Sequence, residues 1–256
     1  STPNPGNREN VNYFTTGPAA AIPFGNRYFL GLEGRFSNFR YEVTPNDNDR
    51  VSGLAPLARQ SNQDTVISLN VATENVEFSN ELASEDFNIN EAFAAYEVES
   101  ERNRININIG YTELEIADIT ADGYLIRADW TRYTSASRTF LVSAGSDYSS
   151  QGDIFRLAQS NGRSIGNTVD TDGDETPFRS RFLYTRYRIE GERTQFAVEV
   201  EWNQEDYEVE EPATNSLDRD ILRGNIFVQR DFTRKLFFSL EGQVRNREYK
   251  NIDRED

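Results

Sequence analysis

Phe196-Ala197-Val198-Glu199-Val200-Glu201-Trp202 is the most informative stretch of this 256-residue chain. Its large apolar side chains occupy every second position, and two glutamates lie between them. Successive side chains of a β-strand point to opposite faces of a sheet, so the alternation predicts a strand with one apolar and one charged face. An amphipathic helix would need apolar residues three and four positions apart, and no segment shows that pattern well.

The same alternation recurs in runs of about ten residues, separated by turn-like segments. We predict about twelve strands, at residues 11–24, 28–43, 51–59, 65–78, 88–98, 104–116, 123–133, 139–149, 178–189, 194–206, 220–230 and 235–248. Prolines interrupt the first of these strands (Pro18 and Pro23) and the third (Pro56), and proline cannot donate to a sheet ladder.

The connections between these strands alternate in length. Those near Gly25, Gly191 and Thr233 are short, whereas 44–50, 79–87, 117–122, 150–177 and 205–219 are mostly longer and polar. Short turns at one end and long acidic loops at the other are typical of an outer-membrane barrel. We therefore expect an all-β fold, an antiparallel up-and-down transmembrane β-barrel, with residues 1–256 forming one domain.

Composition excludes several classes of protein. The apolar fraction is 36% and the mean hydropathy is −0.72, which excludes a helical membrane protein. The chain has no Cys and no His, which removes thiolate metal sites, His-ligated metals and Ser-His-Asp catalysis. A net charge of −16 argues against nucleic acid as a partner. We expect no enzyme and no cofactor, since any enzyme here would have to work with carboxylates, Tyr, Lys or Arg.

Aligning the apolar faces of two hairpins predicts ion pairs in the lumen. Pairing Tyr184 with Val198 places Arg181 opposite Glu201. In the last hairpin, pairing Val228 with Leu236 places Arg223 opposite Glu241. Both hairpins would then have an apolar outer face and an ion-paired inner face, which is too polar for the core of a sandwich.

Aromatic residues cluster near both ends of the predicted strands. Tyr28, Trp130, Phe140, Phe196 and Phe232 lie near the short turns, and Tyr41, Phe78, Tyr111, Tyr124, Tyr148 and Phe178 lie near the long loops. Two such bands match the aromatic girdles of a membrane barrel, although aromatics also favour strands in general. The acidic loop end could hold divalent cations that bridge lipopolysaccharide phosphates, or its loops could simply be solvated.

Two acidic patterns are candidate sites. Asp170, Asp172 and Asp174 alternate as calcium ligands do, but Gly173 comes too early for an EF-hand, and an ordinary acidic loop is the alternative. The pairs Glu199/Glu201 and Glu208/Glu210 have a spacing that a glycosidase could use, although acidic residues are abundant throughout this chain.

Several segments resemble a family of Gram-negative outer-membrane β-barrels associated with exopolysaccharide and exosortase (PEP-CTERM-type) systems. The segments are Asn7–Asn12 with Thr16-Gly17-Pro18, Leu30–Ser37 with Arg40-Tyr41-Glu42, and Asp218-Arg219-Asp220. The resemblance implies an outer-membrane location and a role in polysaccharide export or surface assembly, and it brings no catalytic residues. Barrels of this kind usually end on an aromatic residue, whereas this chain ends Arg254-Glu255-Asp256, so we expect a part of a longer barrel as an alternative to a complete one.

Three hypotheses for function follow. The first is a porin-like outer-membrane barrel that acts as a channel, export accessory or envelope scaffold, with membrane lipid, lipopolysaccharide and polysaccharide as partners. The second is a soluble or surface-assembled β-rich matrix or fibre protein. The third is a carboxylate-dependent polysaccharide hydrolase on a barrel scaffold. Dependence on detergent separates the first two, because only a membrane barrel needs micelles to stay in solution.

Overall fold

A computed structural model describes residues 11–42, 46–80, 85–150, 176–207, 218–233 and 236–250. These residues form thirteen β-strands and no helix. The strands are β1 (Val11–Thr16), β2 (Ala19–Phe24), β3 (Tyr28–Tyr41), β4 (Asn48–Asn62), β5 (Thr65–Phe78), β6 (Phe87–Glu99), β7 (Asn103–Ile116), β8 (Ile119–Ser135), β9 (Arg138–Ser149), β10 (Phe178–Glu190), β11 (Thr194–Tyr207), β12 (Arg219–Asp231) and β13 (Phe237–Tyr249).

All thirteen strands belong to one antiparallel sheet in which neighbours along the chain pair with each other. The exception is that β1 and β2 both pair with β3, and they do so in one continuous register. They are therefore a single strand broken at Gly17-Pro18, where the Pro18 carbonyl still accepts a hydrogen bond from Gly34 N at 3.0 Å. The prediction of an all-β up-and-down fold with twelve strand positions is confirmed.

The two ends of the sheet differ in their connections. At one end of the sheet, which carries Gly25 and Gly191, all the connections between strands are short. We call this end the turn end. The opposite loop end carries the long connections, with one exception. Ala117 and Asp118 alone join β7 to β8, because Ile116 already pairs with Ile119. The prediction of a longer loop at 117–122 is therefore wrong.

Pro56 lies inside β4 without ending the strand. It pairs with Asn70 of β5, while the pairing with β3 skips from Leu57 to Leu54 at this point. A Cβ atom on Gly31 of β3 would lie 2.6 Å from Pro56 Cγ. Gly31 therefore makes room for the proline ring, so the sheet tolerates a residue that cannot donate to the ladder.

The sheet is strongly curved, so that one face becomes an interior. Arg50 of β4 donates from Nη1 to Ser150 Oγ at 3.0 Å, although four strands separate β4 from β9. We call the concave side, which carries Arg50, the inner face, and the convex side the outer face. Within the described residues, the two edges of the sheet, at β1–β2 and at β13, do not pair with each other.

The outer face carries a belt of exposed apolar side chains. Leu69, for example, is 63% exposed and Val71 is 57% exposed, both on β5. Equivalent exposed positions on the other strands include Phe36, Leu57, Tyr96, Ile109, Tyr124, Ile126, Leu183, Val200, Trp202, Leu222, Ile226, Leu240 and Val244. We call these residues the outer belt. The described ranges contain no helix that could span a bilayer.

Candidate functional site on the inner face

The inner face of β5–β9 has an apolar core at the loop end. Its members are buried side chains from neighbouring strands, namely Val76, Phe78, Phe87, Ile89, Leu114, Ile116 and Tyr148, with Ala121 packed against them. We call this set the apolar inner cluster. This cluster fills the interior near the loops. The alternation predicted a charged inner face along each strand, but in β5–β9 that face is apolar near the loops.

Beside this cluster, directly opposite Val76, lies Arg50, which is the largest fully buried side chain among the described residues, with only 2% of its surface exposed. It contacts Glu74 Oε1 at 3.3 Å and donates to Asn48 Oδ1 at 2.9 Å. Its guanidinium carbon also lies 4.9 Å from the centre of the Phe39 ring, a cation–π contact. A buried arginine needs such compensation, because removing its charge from water is costly.

Arg127 of β8 joins three strands. It contacts Glu91 of β6 at 2.6 Å and Asp147 of β9 at 2.5 Å. Glu91 lies two strands away from Arg127, so the contact reaches across β7 on the concave side. The two carboxylates are almost fully buried, and together they hold the curvature of the sheet by charge-assisted hydrogen bonds.

The inner face of β10–β13 is lined mainly by charged and polar side chains. Arg219 of β12 contacts Glu205 of β11 at 2.5 Å, and both side chains are almost fully buried. Closer to the turn end, Arg223 contacts Glu201 at 3.5 Å. The third contact joins Arg186 of β10 to Glu199 at 4.0 Å. Three glutamates on one face of β11 therefore face arginines on both neighbouring strands.

A cavity of about 240 Å³ lies against this charged region at the turn end. Side chains from four strands line it, including Arg186, Arg188, Glu199, Asn225, Phe227 and Glu241. The lining combines guanidiniums, carboxylates and amides with apolar side chains, among them the rings of Phe196 and Phe227. It therefore offers both donors and acceptors to a polar solute.

The structure brings together two of the four residues predicted to form lumen ion pairs, but in a different pairing. Glu201 of β11 lies opposite Arg223 of β12 and contacts it. On its other side, Arg223 lies opposite Arg245 of β13. Glu241 lies opposite Phe227. The predicted pairs Arg181–Glu201 and Arg223–Glu241 are therefore wrong, and Glu201–Arg223 replaces them.

Arg181 does not lie on the inner face at all. It lies opposite Gln204 and contacts Asp206 at 2.9 Å on the outer face near the loop end. Lys250 contacts the same carboxylate at 2.6 Å. Burial alone would raise the pKa of Asp206, but hydrogen bonds from Lys250 and Gln204, together with the charges of Lys250 and Arg181, outweigh it and lower that pKa.

The two register errors have different consequences because side chains alternate with a period of two. In the β10–β11 hairpin, Tyr184 pairs with Glu201 rather than Val198, a slip by an odd number of residues that turns Arg181 outward. In the β12–β13 hairpin, Val228 pairs with Leu240 rather than Leu236, an even slip that keeps each residue on its predicted face.

Of the other candidate sites, the calcium candidate at Asp170, Asp172 and Asp174 lies outside the described residues, as does the pair Glu208/Glu210. In the described ranges, no group of three or more acidic residues is placed to hold a metal ion. Glu199 and Glu201 share the inner face as predicted, and each faces an arginine.

The predicted aromatic bands are only partly on the outer face. Tyr111 and Tyr124 are exposed there and lie directly opposite each other on β7 and β8. In contrast, Phe78 and Phe178 are buried and Tyr148 belongs to the apolar inner cluster. The loop-end band therefore contributes as much to the interior as to the outer surface.

A signal for the apolar inner cluster was present in the sequence. On β7, the outer positions Ile105, Ile107 and Ile109 are odd-numbered, but the buried Leu114 and Ile116 are even-numbered. β5 changes phase in the same way, from Leu69 and Val71 on the outer face to Val76 and Phe78 inside. Such a switch within one strand shows that the apolar face changes sides partway along it.

Comparisons with known proteins add one structural likeness. No protein-family model and no curated protein sequence matches the chain. Among solved structures, the chain is similar to the alcaligin outer membrane receptor FauA from Bordetella pertussis, with 10% sequence identity and a TM-score of 0.48. The match covers 96% of this chain and 48% of that receptor, so the chain spans about half of the receptor's length.

Proposed function

We propose that this chain forms the wall of an outer-membrane β-barrel in a Gram-negative bacterium, and that the barrel is a channel linked to surface polysaccharide. The outer belt carries the proposal. A continuous band of exposed Leu, Ile and Val across the sheet would be an extensive apolar surface on a soluble protein, and large patches of this kind mark contact with a membrane or a partner.

The height of the outer belt supports this proposal. On the outer face, an aspartate near the loop end and an arginine near the turn end lie ten positions apart on each of three strands, at Asp49/Arg59, Asp122/Arg132 and Asp220/Arg230. Ten residues of strand extend about 33 Å. At the tilt of roughly 35–45° found in such barrels, the band between the charges is about 25 Å tall, as a bilayer requires.

The switch of the apolar face supports the same assignment. Near the loop end, the outer face becomes polar at Asn75, Asn88 and Glu113, while the inner face becomes apolar. This is expected where strands leave the bilayer, because their outer surface then meets water and their stability comes from a buried interior. The loop end would therefore project beyond the membrane surface.

The inner face of β10–β13 is what favours a channel over an inert scaffold. Charged and amide groups line its cavity together with apolar side chains such as Phe227. Charged side chains also line the selective parts of many pores. Donors and acceptors beside Phe227 also suit the hydroxyl groups and apolar ring faces of sugars. The link to polysaccharide rests on this lining and on the family resemblance.

The membrane assignment is tested with two matched lysine variants on the outer face of β5. Val71→Lys places a charge in the middle of the outer belt. Asn75→Lys places the same charge near the loop end, where the outer face is already polar. In lipid vesicles, we expect Val71→Lys to lower the free energy of unfolding by about 2–4 kcal/mol and Asn75→Lys by at most about 1 kcal/mol. Equal effects, or a wild-type protein that is monodisperse without detergent, would instead support the soluble matrix protein.

The channel is tested separately with protein that has already folded into lipid. Proteoliposomes are diluted into isotonic solutions of glucose and of linear oligosaccharides of increasing length, and their swelling is followed by light scattering. Swelling that slows with sugar length is expected. A protein that folds in vesicles but causes no swelling with any sugar would leave the membrane assignment intact and overturn the channel.

A further inference from the structure

The inner face of β12–β13 concentrates positive charge near the loop end. Arg219 and Arg223 on β12 lie beside Arg245 and Arg247 on β13. Tyr249 lies directly opposite Arg219. We call these four arginines and Tyr249 the arginine cluster. It is unusual in a chain whose net charge is −16.

The register places like charges face to face. Arg223 and Arg245 are direct cross-strand partners, and Arg247 follows two residues later on the same face. Side chains of direct partners are only about 5 Å apart at Cβ, so two guanidiniums in these positions repel each other. The acidic residues on these stretches, Asp220 and Glu248, pair with each other on the outer face.

Two carboxylates on β11 contact the half of the cluster that lies on β12. Glu205 contacts Arg219 and Glu201 contacts Arg223. Glu241, an acidic residue on the inner face of β13, lies opposite Phe227, four residues from Arg245 towards the turn end. Arg219 and Arg223 therefore each have a carboxylate of β11 beside them, and all four guanidiniums of the cluster lie together on this part of the inner face.

Tyrosine hydroxyl groups complete the site. Arg247 donates to the Tyr249 hydroxyl at 3.0 Å, and Arg219 is the direct cross-strand partner of Tyr249. Burial would raise the pKa of Tyr249, but the hydrogen bonds and charges of the two guanidiniums outweigh it and lower that pKa. Arg219 Nη2 also donates to the Tyr207 hydroxyl at 3.3 Å. The surroundings therefore favour a negative oxygen at this point.

We propose that the arginine cluster binds a multivalent oxyanion, either a free ion such as phosphate or an acidic group carried on a polymer. Guanidinium groups present paired N–H donors that match phosphate and carboxylate oxygens, and such charge-assisted bonds are strong. A bound oxyanion between β12 and β13 would also relieve the repulsion between Arg223 and Arg245. The inference goes beyond the proposed channel, because it concerns the binding of an oxyanion and does not require transport. Binding can be measured on any preparation of the folded protein.

The experiment measures binding by calorimetry to the folded full chain in detergent, at constant ionic strength set with sodium chloride. The probes are inorganic phosphate, polygalacturonate and monomeric galacturonate. Saturable binding of phosphate supports a free ion as the ligand. Binding of polygalacturonate but not of its monomer supports a polymer. No saturable heat with any probe overturns the proposal, and this result leaves the membrane tests unaffected.

A pair of double variants locates the site. R245Q/R247Q removes two charges from the cluster, and R35Q/R104Q removes two charges from exposed inner-face arginines that pair with Glu33 and Glu99. We expect R245Q/R247Q to weaken binding by at least about tenfold and the control by less than about twofold, because each lost charge-assisted contact changes affinity by roughly that factor. Equal weakening in both would overturn the assignment to the cluster. If R245Q/R247Q fails to fold, R245K/R247K replaces it in the test. The lysine variant keeps the charge but loses the paired N–H donors, so it must bind phosphate less tightly than the wild-type protein does.

Discussion

β5–β9 and β10–β13 follow the same alternating sequence pattern, yet they build different interiors. In β5–β9, the inner face carries the apolar inner cluster near the loops and the Arg127 network below it. In β10–β13, the inner face carries rows of Arg and Glu and an open cavity. The comparison shows that a packed apolar interior and a charged cavity occupy different sectors of one sheet, because the same interior space cannot hold both.

The largest expected difference between the two sectors comes from truncating leucines. Leu114 in the apolar inner cluster is fully buried, whereas Leu222 on the outer face of β12 is half exposed. We expect Leu114→Ala to lower the free energy of unfolding in micelles by about 3 kcal/mol, because it removes buried contacts and leaves a cavity. Leu222→Ala should cost less than about 1 kcal/mol. Urea titrations followed by tryptophan fluorescence compare the two, and equal losses would contradict the division into sectors.

Removing an arginine should also affect the two sectors unequally. Arg127→Gln leaves the buried Glu91 and Asp147 without their cation, and we expect a loss of about 2–3 kcal/mol. Arg223→Gln removes a contact with Glu201 but also a repulsion with Arg245, so its cost should stay below about 1 kcal/mol. The same titrations measure both variants. A larger loss for Arg223→Gln would show that the arginine cluster is structural.

A smaller effect is expected for Asp206 at the outer rim. Its pKa is lowered in the folded protein, so the carboxylate stabilises the fold above its unfolded pKa, near 3.8, and loses this contribution as the pH falls through the folded value. Stability measured between pH 5 and pH 2 should fall less steeply in Asp206→Asn than in wild type. An equally steep fall in both proteins would contradict this contribution of the Asp206 carboxylate.

The smallest effect concerns the two-residue turn between β7 and β8. Ala117 has a φ of +48°, a conformation that is unfavourable for residues with a Cβ atom. Glycine is preferred at the first position of such a hairpin turn, so Ala117→Gly should raise the free energy of unfolding by up to about 1 kcal/mol. A decrease instead would mean that the turn changes conformation in solution.

Much of the fold was predictable from alternation. Twelve strand positions, their order and the short turns at one end are found as expected, since a period of two sustained over ten residues fits a two-faced strand and does not fit a helix. The errors arose where local geometry outweighs the pattern. A tight turn at Ala117-Asp118 extends β8 by four residues beyond its predicted start, and Pro56 is accommodated by Gly31 on a neighbouring strand.

The candidate site was less predictable. Glu201 and Arg223 were correctly placed on the inner face, but their pairing depends on the register between β11 and β12, which the alternation of side chains does not determine. Arg50 and Arg127 were missed, because their partners lie up to several strands away and meet them only across the concave face. The phase change between Ile109 and Leu114 would have located the apolar inner cluster.

Alternation along the chain was enough to establish antiparallel strands with two unlike faces, since side-chain direction in a strand depends only on odd or even position. Curvature decided everything that joins distant strands, including the burial of Arg50, the three-strand contact of Arg127 and the interior packing of Tyr148. Register decided which charges meet, because a slip of one residue exchanges the two faces while leaving the pattern unchanged.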